Sequence, residues 1–200
     1  MLKLNFSYSR KAKCIFLSLF LLLAFISCSE SPDITPEPEP GTLKVLFVGN
    51  SYTYYNDGLD QALYNMILAD DPQGTYVFDR ATDGGLSLAV HVNREATLEK
   101  LTEEEWDYVV LQEQSTNPVN NPEIFYDGAR DMDSLIKIEV QNVDVKTAFF
   151  MTWARGFDPD MIIGLESAYS TIATELEATL AAVGKAWEYS LSENPSIILH

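Results

Sequence analysis

In the stretch KVLFVGNSYTYYND, residues 44–57, an apolar run ends abruptly at Gly49 and a polar, aromatic segment follows. A continuous apolar run of this length is typical of a strand that is buried on both faces of a parallel sheet. The residues Gly49, Asn50 and Ser51 then indicate a tight turn from the strand into a helix. Two interpretations of this turn are open: Asn50 or Ser51 caps the helix, or Ser51 is a nucleophile presented at the strand end.

The rest of the chain alternates between strand-like and helix-like segments. Strands are expected at residues 43–49, 75–81, 108–111, 143–153 and 196–200. Helices are expected at residues 57–70, 87–101 and 122–139, and 160–190 is predicted to be mostly helical. This alternation predicts a single α/β domain over residues 43–200, a three-layer α/β/α sandwich around a parallel sheet of about five strands.

Polar residues follow four of the expected strands. The segments are GNSY after the first strand, TDGGLS after the second, QEQS after the third and TWARG after the fourth. In open parallel sheets, ligands bind beyond the carboxyl ends of the strands, near the point where the strand order reverses. The four turns are therefore predicted to converge on one site.

Four ordered motifs resemble those of the SGNH, or GDSL-type, hydrolases, in the variant branch that has Asn in place of Asp before the serine. The motifs are VLFVGNSYT, DGGLSLAVH, LQEQS and MTWAR, within residues 45–155. The resemblance implies a flavodoxin-like sheet and makes Ser51 the nucleophile. It also implies an oxyanion hole formed by the N–H groups of Ser51 and Gly85 and the side-chain amide of Gln114, although LQEQS departs from the superfamily's Gly-x-Asn-Asp pattern.

The resemblance also implies that His91, Trp153 and Arg155 lie beside the pocket, and Asn50 and Tyr52, next to Ser51, are further candidates for lining it. Two of them have an alternative interpretation. Tyr52 either stacks on a sugar ring or packs against the first helix. His91 either lines the pocket or is a buried structural histidine.

A serine nucleophile needs a base, and a carboxylate should orient that base. The superfamily supplies both from an Asp-x-x-His block after the fifth strand, and this sequence has no such block. Its two histidines, His91 and His200, follow Leu88 and Ile197 at the Asp position. Either the chain is C-terminally incomplete or it is a complete, non-catalytic protein, and an uncovered apolar strand at 196–200 favours the former. His200 is an alternative base.

The first 27 residues are expected to be an export signal, because basic residues precede a short apolar run that ends at Cys28. AFISC, residues 24–28, resembles a bacterial lipobox, which implies that Cys28 is lipidated and anchors the chain to a membrane. The alternative is an ordinary signal peptide with an incidental cysteine. Residues 28–42 are acidic and rich in proline, and are expected to form an extended tether. The predicted location is the bacterial outer membrane or cell surface.

The chain is strongly acidic, with 13 Lys and Arg against 30 Asp and Glu and a formal net charge of −17. Removal of residues 1–27 would leave a side-chain charge of about −21. This charge disfavours nucleic acid and anionic membrane surfaces as partners. We expect no cofactor and no metal, because phosphate-loop motifs and His/Cys clusters are missing from the sequence.

Together with the export signal, the resemblance implies an exported esterase that removes acyl groups, in particular acetyl, from a carbohydrate ester. The absent Asp-x-x-His block makes the 200-residue chain a poor catalyst in this hypothesis. The alternative is a surface lipoprotein that binds glycans or serves as a scaffold and has a decayed site.

Overall fold

A computed structural model describes residues 41–197, which form a parallel sheet with helices in the connections. The strands are β1 (Leu43–Gly49), β2 (Tyr76–Thr82), β3 (Tyr108–Leu111), β4 (Lys146–Phe150) and β5 (Thr179–Ala181). The helices are α1 (Ser51–Tyr54), α2 (Leu59–Asp70), α3 (Leu88–His91), α4 (Glu95–Glu103), α5 (Asn117–Asn120), α6 (Pro122–Glu139), α7 (Met161–Glu175) and α8 (Val183–Glu193).

The strand order is β2-β1-β3-β4-β5, and every neighbouring pair is parallel. The chain moves outward in one direction from β1 to β2 and in the other from β3 to β5. Because parallel crossovers are right-handed, this reversal places helices on both faces of the sheet. The predicted α/β class and flavodoxin-like sheet of five strands are confirmed.

Burial along β1 shows that both faces of the sheet are covered. Val45, Leu46, Phe47 and Val48 are all buried, although consecutive side chains of a strand point to opposite faces. The main core combines apolar residues of β1, β3 and β4 with one face each of α6 and α7. The unbroken apolar run of β1 is therefore explained by burial on two sides.

Within the described residues, the fifth strand lies earlier in the chain than predicted. The fifth strand is Thr179–Ala181, which pairs with β4 from Ala148 to Phe150 and divides the predicted 160–190 helical region into α7 and α8. Ser196 and Ile197 are not in a strand, and residues 198–200 lie outside the described residues. Three residues of strand in an alanine-rich segment leave no readable periodicity, whereas SIIL is rich in β-formers.

Other boundaries differ because of local backbone geometry. β1, β3 and α6 have the predicted bounds. The predicted 57–70 helix begins only at Leu59, since Asn56, Asp57 and Gly58 all have positive φ, which a right-handed helix excludes. The predicted 87–101 helix is two helices, α3 and α4, and the fourth strand is shorter than 143–153.

Several predictions concern segments outside the described part of the chain. The export signal, Cys28 and the tether up to residue 40 belong there, as does His200. Among residues 41–197, no helix combines the length and the apolar character needed to cross a bilayer.

Candidate active site

Ser51 lies where β1 ends and α1 begins, and it borders an open cleft. The helix cap is supplied by its neighbour: Asn50 Oδ1 accepts a hydrogen bond from the Tyr52 N–H at 3.3 Å. The capping interpretation therefore applies to Asn50, and the role of Ser51 as a nucleophile stays a prediction. The Ser51 side chain is half-buried at the edge of the cleft.

Asn50 connects the turns that follow three different strands. Its backbone N–H donates to Gln112 Oε1, in the turn after β3, at 2.9 Å. Its side-chain Nδ2 donates to the carbonyl of Leu86, in the glycine-rich turn after β2, also at 2.9 Å. Because Asn50 is almost fully buried, these bonds are shielded from water. The backbone immediately before Ser51 is thus fixed from two sides.

The side-chain amide of Gln112 holds the backbone of the Ser51 turn in place. Its Oε1 also accepts from Thr53 Oγ1 at 2.9 Å, and its Nε2 donates to the Glu113 carbonyl. A Cβ on Gly49 would overlap both Thr53 Oγ1 and Gln112 Oε1. Glycine is therefore required at position 49 by close approach of side chains.

His91 is buried beneath the same turn, and both of its ring nitrogens are engaged. Nε2 lies 2.9 Å from the Gly49 carbonyl, and Nδ1 lies 2.8 Å from Thr97 Oγ1. A carbonyl can only accept, so Nε2 carries the hydrogen and, in the neutral ring, Nδ1 accepts from the Thr97 hydroxyl. Burial lowers the pKa of His91 below its ordinary 6.5, which favours this neutral form. In this arrangement His91 is a structural residue and has no nitrogen available to Ser51.

Glu113 is a second buried titratable group beside the turns. Its carboxylate accepts hydrogen bonds from the backbone N–H groups of Leu88 and Gln114 and from the Asn117 side chain, at 2.7–3.1 Å. Burial raises the pKa of Glu113 above its ordinary 4.5, although the three donors oppose this shift. Glu113 connects the start of α3 with the turn after β3.

Aromatic side chains form one wall of the cleft at Ser51. The Tyr52 ring lies 4.8 Å from the Trp153 ring, and Trp153 stacks on Trp187 with centroids 4.2 Å apart and planes within 3°. The cleft has a volume of about 550 Å³ and is further lined by Tyr55, Asn56, Gly58, Leu59 and Ala62. We call it the Ser51 cleft.

Arg155 completes the connection among the four turns. Its Nη2 donates to Ser115 Oγ, in the turn after β3, at 2.8 Å. Together with the contacts of Asn50 and Tyr52, this bond joins the segments GNSY, TDGGLS, QEQS and TWARG. The predicted convergence of four strand-end turns is confirmed.

Comparison with solved structures identifies the fold. Over 74% of this chain and 83% of the other, the structure resembles a candidate SGNH hydrolase from Slackia heliotrinireducens, with a TM-score of 0.63 and 22% identity. A DUF4886 family protein from Bacteroides uniformis matches with a TM-score of 0.58 and 20% identity, over 74% and 70% of the two chains. The fold is that of the SGNH hydrolases.

The same SGNH fold recurs in a more distant structure, a variant of the acetyl xylan esterase Axe2 from Geobacillus stearothermophilus. It matches with a TM-score of 0.51 and 14% identity, over 73% of this chain and 80% of that chain. No protein-family model matches the sequence, and neither does any curated protein. At these identities the likeness concerns the fold alone.

Within the SGNH fold, the Ser51 turn lies at the point where the strand order reverses. β1 and β3 are neighbours, yet the chain leaves them in opposite directions, and their carboxyl ends carry Ser51 and Gln112. Ligands of doubly wound sheets bind in the crevice at such a point. The sheet topology therefore places the Ser51 cleft where a substrate is expected.

The two other proposed oxyanion donors occupy different environments. Gly85 has a φ of 70°, and a Cβ there would meet no atom within 4 Å, so its turn is open. Gln114 Oε1 accepts from Thr116 and from the Asn117 N–H at 2.8–3.2 Å. These hydrogen bonds to Oε1 fix the orientation of the Gln114 side-chain amide. The role of both residues in an oxyanion hole stays a prediction.

Three residues of the site were missed by sequence reasoning: Gln112, Glu113 and Trp187. The first two belong to the QEQS turn, but only the identity of their hydrogen-bond partners distinguishes them from Gln114. Trp187 lies on α8, which the sequence pattern did not separate from α7 because β5 was not predicted between them. A backbone bond from the Gly184 N–H to the Met151 carbonyl, 2.9 Å long, brings the start of α8 against the TWARG segment.

The described residues contain no cluster of three or more His, Cys, Asp or Glu side chains able to hold a metal ion. The buried Asp133 accepts from Thr147 Oγ1 at 2.7 Å and pairs with Lys137 at 2.6 Å. This carboxylate therefore links α6 to β4.

Proposed function

We propose that the protein is an exported serine ester hydrolase that removes acyl groups, in particular acetyl, from carbohydrate. The observation that carries the proposal is the place of Ser51: it borders an aromatic cleft at the reversal point of an SGNH-type sheet. The backbone around it is held by Asn50, Gln112 and His91. Such pre-organisation is what a nucleophile needs at a reacting carbonyl.

In the proposed reaction, Ser51 Oγ attacks the ester carbonyl carbon and its proton passes to a base. The carbonyl oxygen becomes an oxyanion, for which the N–H groups of Ser51 and Gly85 and the Gln114 amide are the proposed donors. When the carbonyl re-forms, the bond to the alcohol breaks and the base returns the proton to the leaving oxygen. Water then repeats the sequence on the acyl-serine and releases the acid.

The proposed base is not His91, because both of its nitrogens are engaged away from the cleft. The 200-residue sequence has no Asp-x-x-His segment, and His200 is its only other histidine. We therefore expect this chain to turn over slowly unless His200 serves as the base. A serine without a base retains part of its rate advantage through oxyanion stabilisation and binding.

Support for a carbohydrate ester comes from the aromatic wall and from an acetyl xylan esterase that shares the fold. Aromatic side chains present flat apolar faces with polar edges, and the apolar faces of sugar rings pack well against them. The cleft is large enough for a saccharide unit, at about 550 Å³.

The test is hydrolysis of 4-nitrophenyl acetate by the full chain, by Ser51→Ala and by Ser170→Ala, a serine on α7 remote from the cleft. We expect slow turnover that Ser51→Ala abolishes and Ser170→Ala leaves unchanged. Imidazole supplies an external base and should raise the Ser51-dependent rate, after subtraction of the imidazole reaction measured with Ser51→Ala. Equal rates for the parent and Ser51→Ala, with or without imidazole, would contradict the proposed nucleophile.

A second candidate function is favoured by the engaged ring nitrogens of His91: a surface protein that binds glycans without hydrolysing them. Acetylated oligosaccharides would then bind to the parent and to Ser51→Ala alike, and neither protein would release acetate. Ser51-dependent release of acetate excludes this alternative.

We also propose that Cys28 carries the lipid anchor, since it follows the lipobox-like AFIS segment. Expression of the full chain in a bacterial host with Cys28→Ser should move the protein from the membrane fraction to the soluble fraction. Metabolic labelling with a fatty acid should fail in the same variant. Membrane retention and labelling in Cys28→Ser would contradict the anchor.

A further inference from the structure

The distribution of ion pairs singles out one cation beside the site. Nine Lys and Arg residues lie within 41–197, and all but Lys146 and Arg155 pair with a carboxylate of the described chain. In so acidic a chain, a cation without a carboxylate partner is the exception. Lys146 lies at the start of β4, at the amino edge of the sheet, where it contacts the Tyr108 ring. Arg155 lies at the carboxyl edge, next to the site.

The guanidinium of Arg155 is held in place without being neutralised. Nη2 donates to the buried Ser115 hydroxyl, and the Phe157 ring centroid lies 5.9 Å from the guanidinium carbon. Ser115 uses one of the five N–H donors that a guanidinium carries. Arg155 is half-buried and lines a cleft, so a ligand there can reach it.

Arg155 lines a second cleft that adjoins the Ser51 cleft through a shared residue, Trp187. This Arg155 cleft has a volume of about 400 Å³ and is further lined by Gly156, Ile162, Gly184, Glu188 and Leu191. Trp187 lines both clefts, and its stacking partner Trp153 lines the Ser51 cleft. The acid in this lining, Glu188, is paired with Lys185 at 2.9 Å.

We infer that Arg155 binds a carboxylate of the substrate and that the substrate is an acidic saccharide, with one unit over the Trp153–Trp187 pair and a uronic acid unit in the Arg155 cleft. A planar guanidinium and a carboxylate form two parallel hydrogen bonds, which fix orientation as well as charge. An acidic protein repels anions in general, so a single oriented cation selects a ligand that places its charge at that point. The inference deepens the proposed esterase function and rests on it for the identity of the reacting ester.

The experiment measures binding in a chain that cannot hydrolyse, so it does not depend on catalysis. Calorimetric titration of Ser51→Ala with trigalacturonate is compared with titration by the fully methyl-esterified trimer, which has the same sugars without the charge. We expect the acid to bind at least about 10-fold more tightly, in line with a charge-assisted, bidentate contact. Arg155→Gln in the same background should remove this preference, and Arg155→Lys should retain part of it.

Lys146→Gln is the matched control, because it removes the other cation that lacks a carboxylate partner, at the opposite edge of the sheet. It should leave the preference for the acid intact, whereas a loss equal to that of Arg155→Gln would overturn the inference by showing a general charge effect. Equal affinity for the acid and its ester, or binding of neither, also overturns it. The separate hydrolysis test with Ser51→Ala decides the esterase proposal whatever the titration shows.

Discussion

On one side of Ser51 the chain forms a polar turn network of Gly49, Asn50, Gln112 and His91, in which the polar side chains are almost fully buried and hydrogen-bonded. On the other side, Tyr52, Trp153 and Trp187 form an aromatic wall that is half-buried and opens onto the cleft. The polar turn network is fixed by directional hydrogen bonds of about 2.9 Å. The aromatic wall is held by contacts between rings, which impose no hydrogen-bond geometry. Changes to the network should therefore affect stability and catalytic rate, and changes to the wall should affect substrate binding.

The largest effect is expected from His91→Ala in the polar turn network. The variant leaves the Gly49 carbonyl and Thr97 without their partner and creates a cavity, for an expected loss of about 3 kcal/mol in the free energy of unfolding. Chemical denaturation of the purified chain measures this loss. His91→Gln, which can still donate to the carbonyl, should lose less. A loss for His91→Ala below about 1 kcal/mol would show that the turn does not depend on this residue.

Gly49→Ala should destabilise the network by about 1–3 kcal/mol, since its Cβ overlaps Thr53 Oγ1 and Gln112 Oε1. Gly84→Ala is the matched control in the neighbouring turn, where the nearest atom to a Cβ is the Tyr54 hydroxyl at 3.5 Å. Thermal unfolding of the two variants compares them directly. Equal melting temperatures would contradict the close approach at Gly49.

Trp187→Ala tests the aromatic wall. It removes the stacking partner of Trp153 and should raise KM for an acetylated oligosaccharide several-fold while changing kcat less, because the wall is proposed to bind substrate without touching the reacting ester. Trp106→Phe, in the core, is the control, since Trp106 Nε1 donates to the Lys100 carbonyl far from the cleft. This control should lower stability and leave KM unchanged. A fall in kcat alone for Trp187→Ala would assign the wall to catalysis instead.

The smallest expected effects are two opposing pH dependences beside the turns. Burial lowers the pKa of His91, so its contribution to stability is present above pH 6.5 and is lost as pH falls from 6.5 through the lower pKa of the folded state. Burial raises the pKa of Glu113 above 4.5, so its contribution is present below pH 4.5 and is lost as pH rises through the pKa of the folded state. Unfolding measured from pH 4 to 8 should show each slope disappear in His91→Gln and Glu113→Gln respectively.

The parts of the fold that the sequence predicted are those with a strong local signal. β1 is a long apolar run, and α6 begins at a proline and keeps a helical pattern for five turns, so both have their predicted bounds. β5 has three residues and exists because Ala148, Phe149 and Phe150 offer a free edge of the sheet. No local pattern specifies such a strand, and the β-rich end of the chain was taken in its place.

The sequence predicts which turns form the site, but not which side chains within those turns contact each other. Parallel strands end at the same edge, so the convergence of the four polar turns follows from the strand order. Either Gln112 or Gln114 could contact Asn50, and which of them does so depends on how the turn after β3 leaves the sheet. The sequence does not distinguish them, because side chains two positions apart in an extended segment point to the same side. Trp187 was missed because its position depends on β5.

The Trp153–Trp187 stack gives the molecule an optical reporter at the site. Of the three tryptophans, Trp106 is buried in the core and the other two face each other at 4.2 Å in the cleft. Indoles at this distance couple electronically, so their contribution to the near-ultraviolet circular dichroism depends on the stack at the site, whereas Trp106 in the core takes no part in this coupling. Opening of α8 against the TWARG segment would then be visible as a loss of the coupled signal before global unfolding.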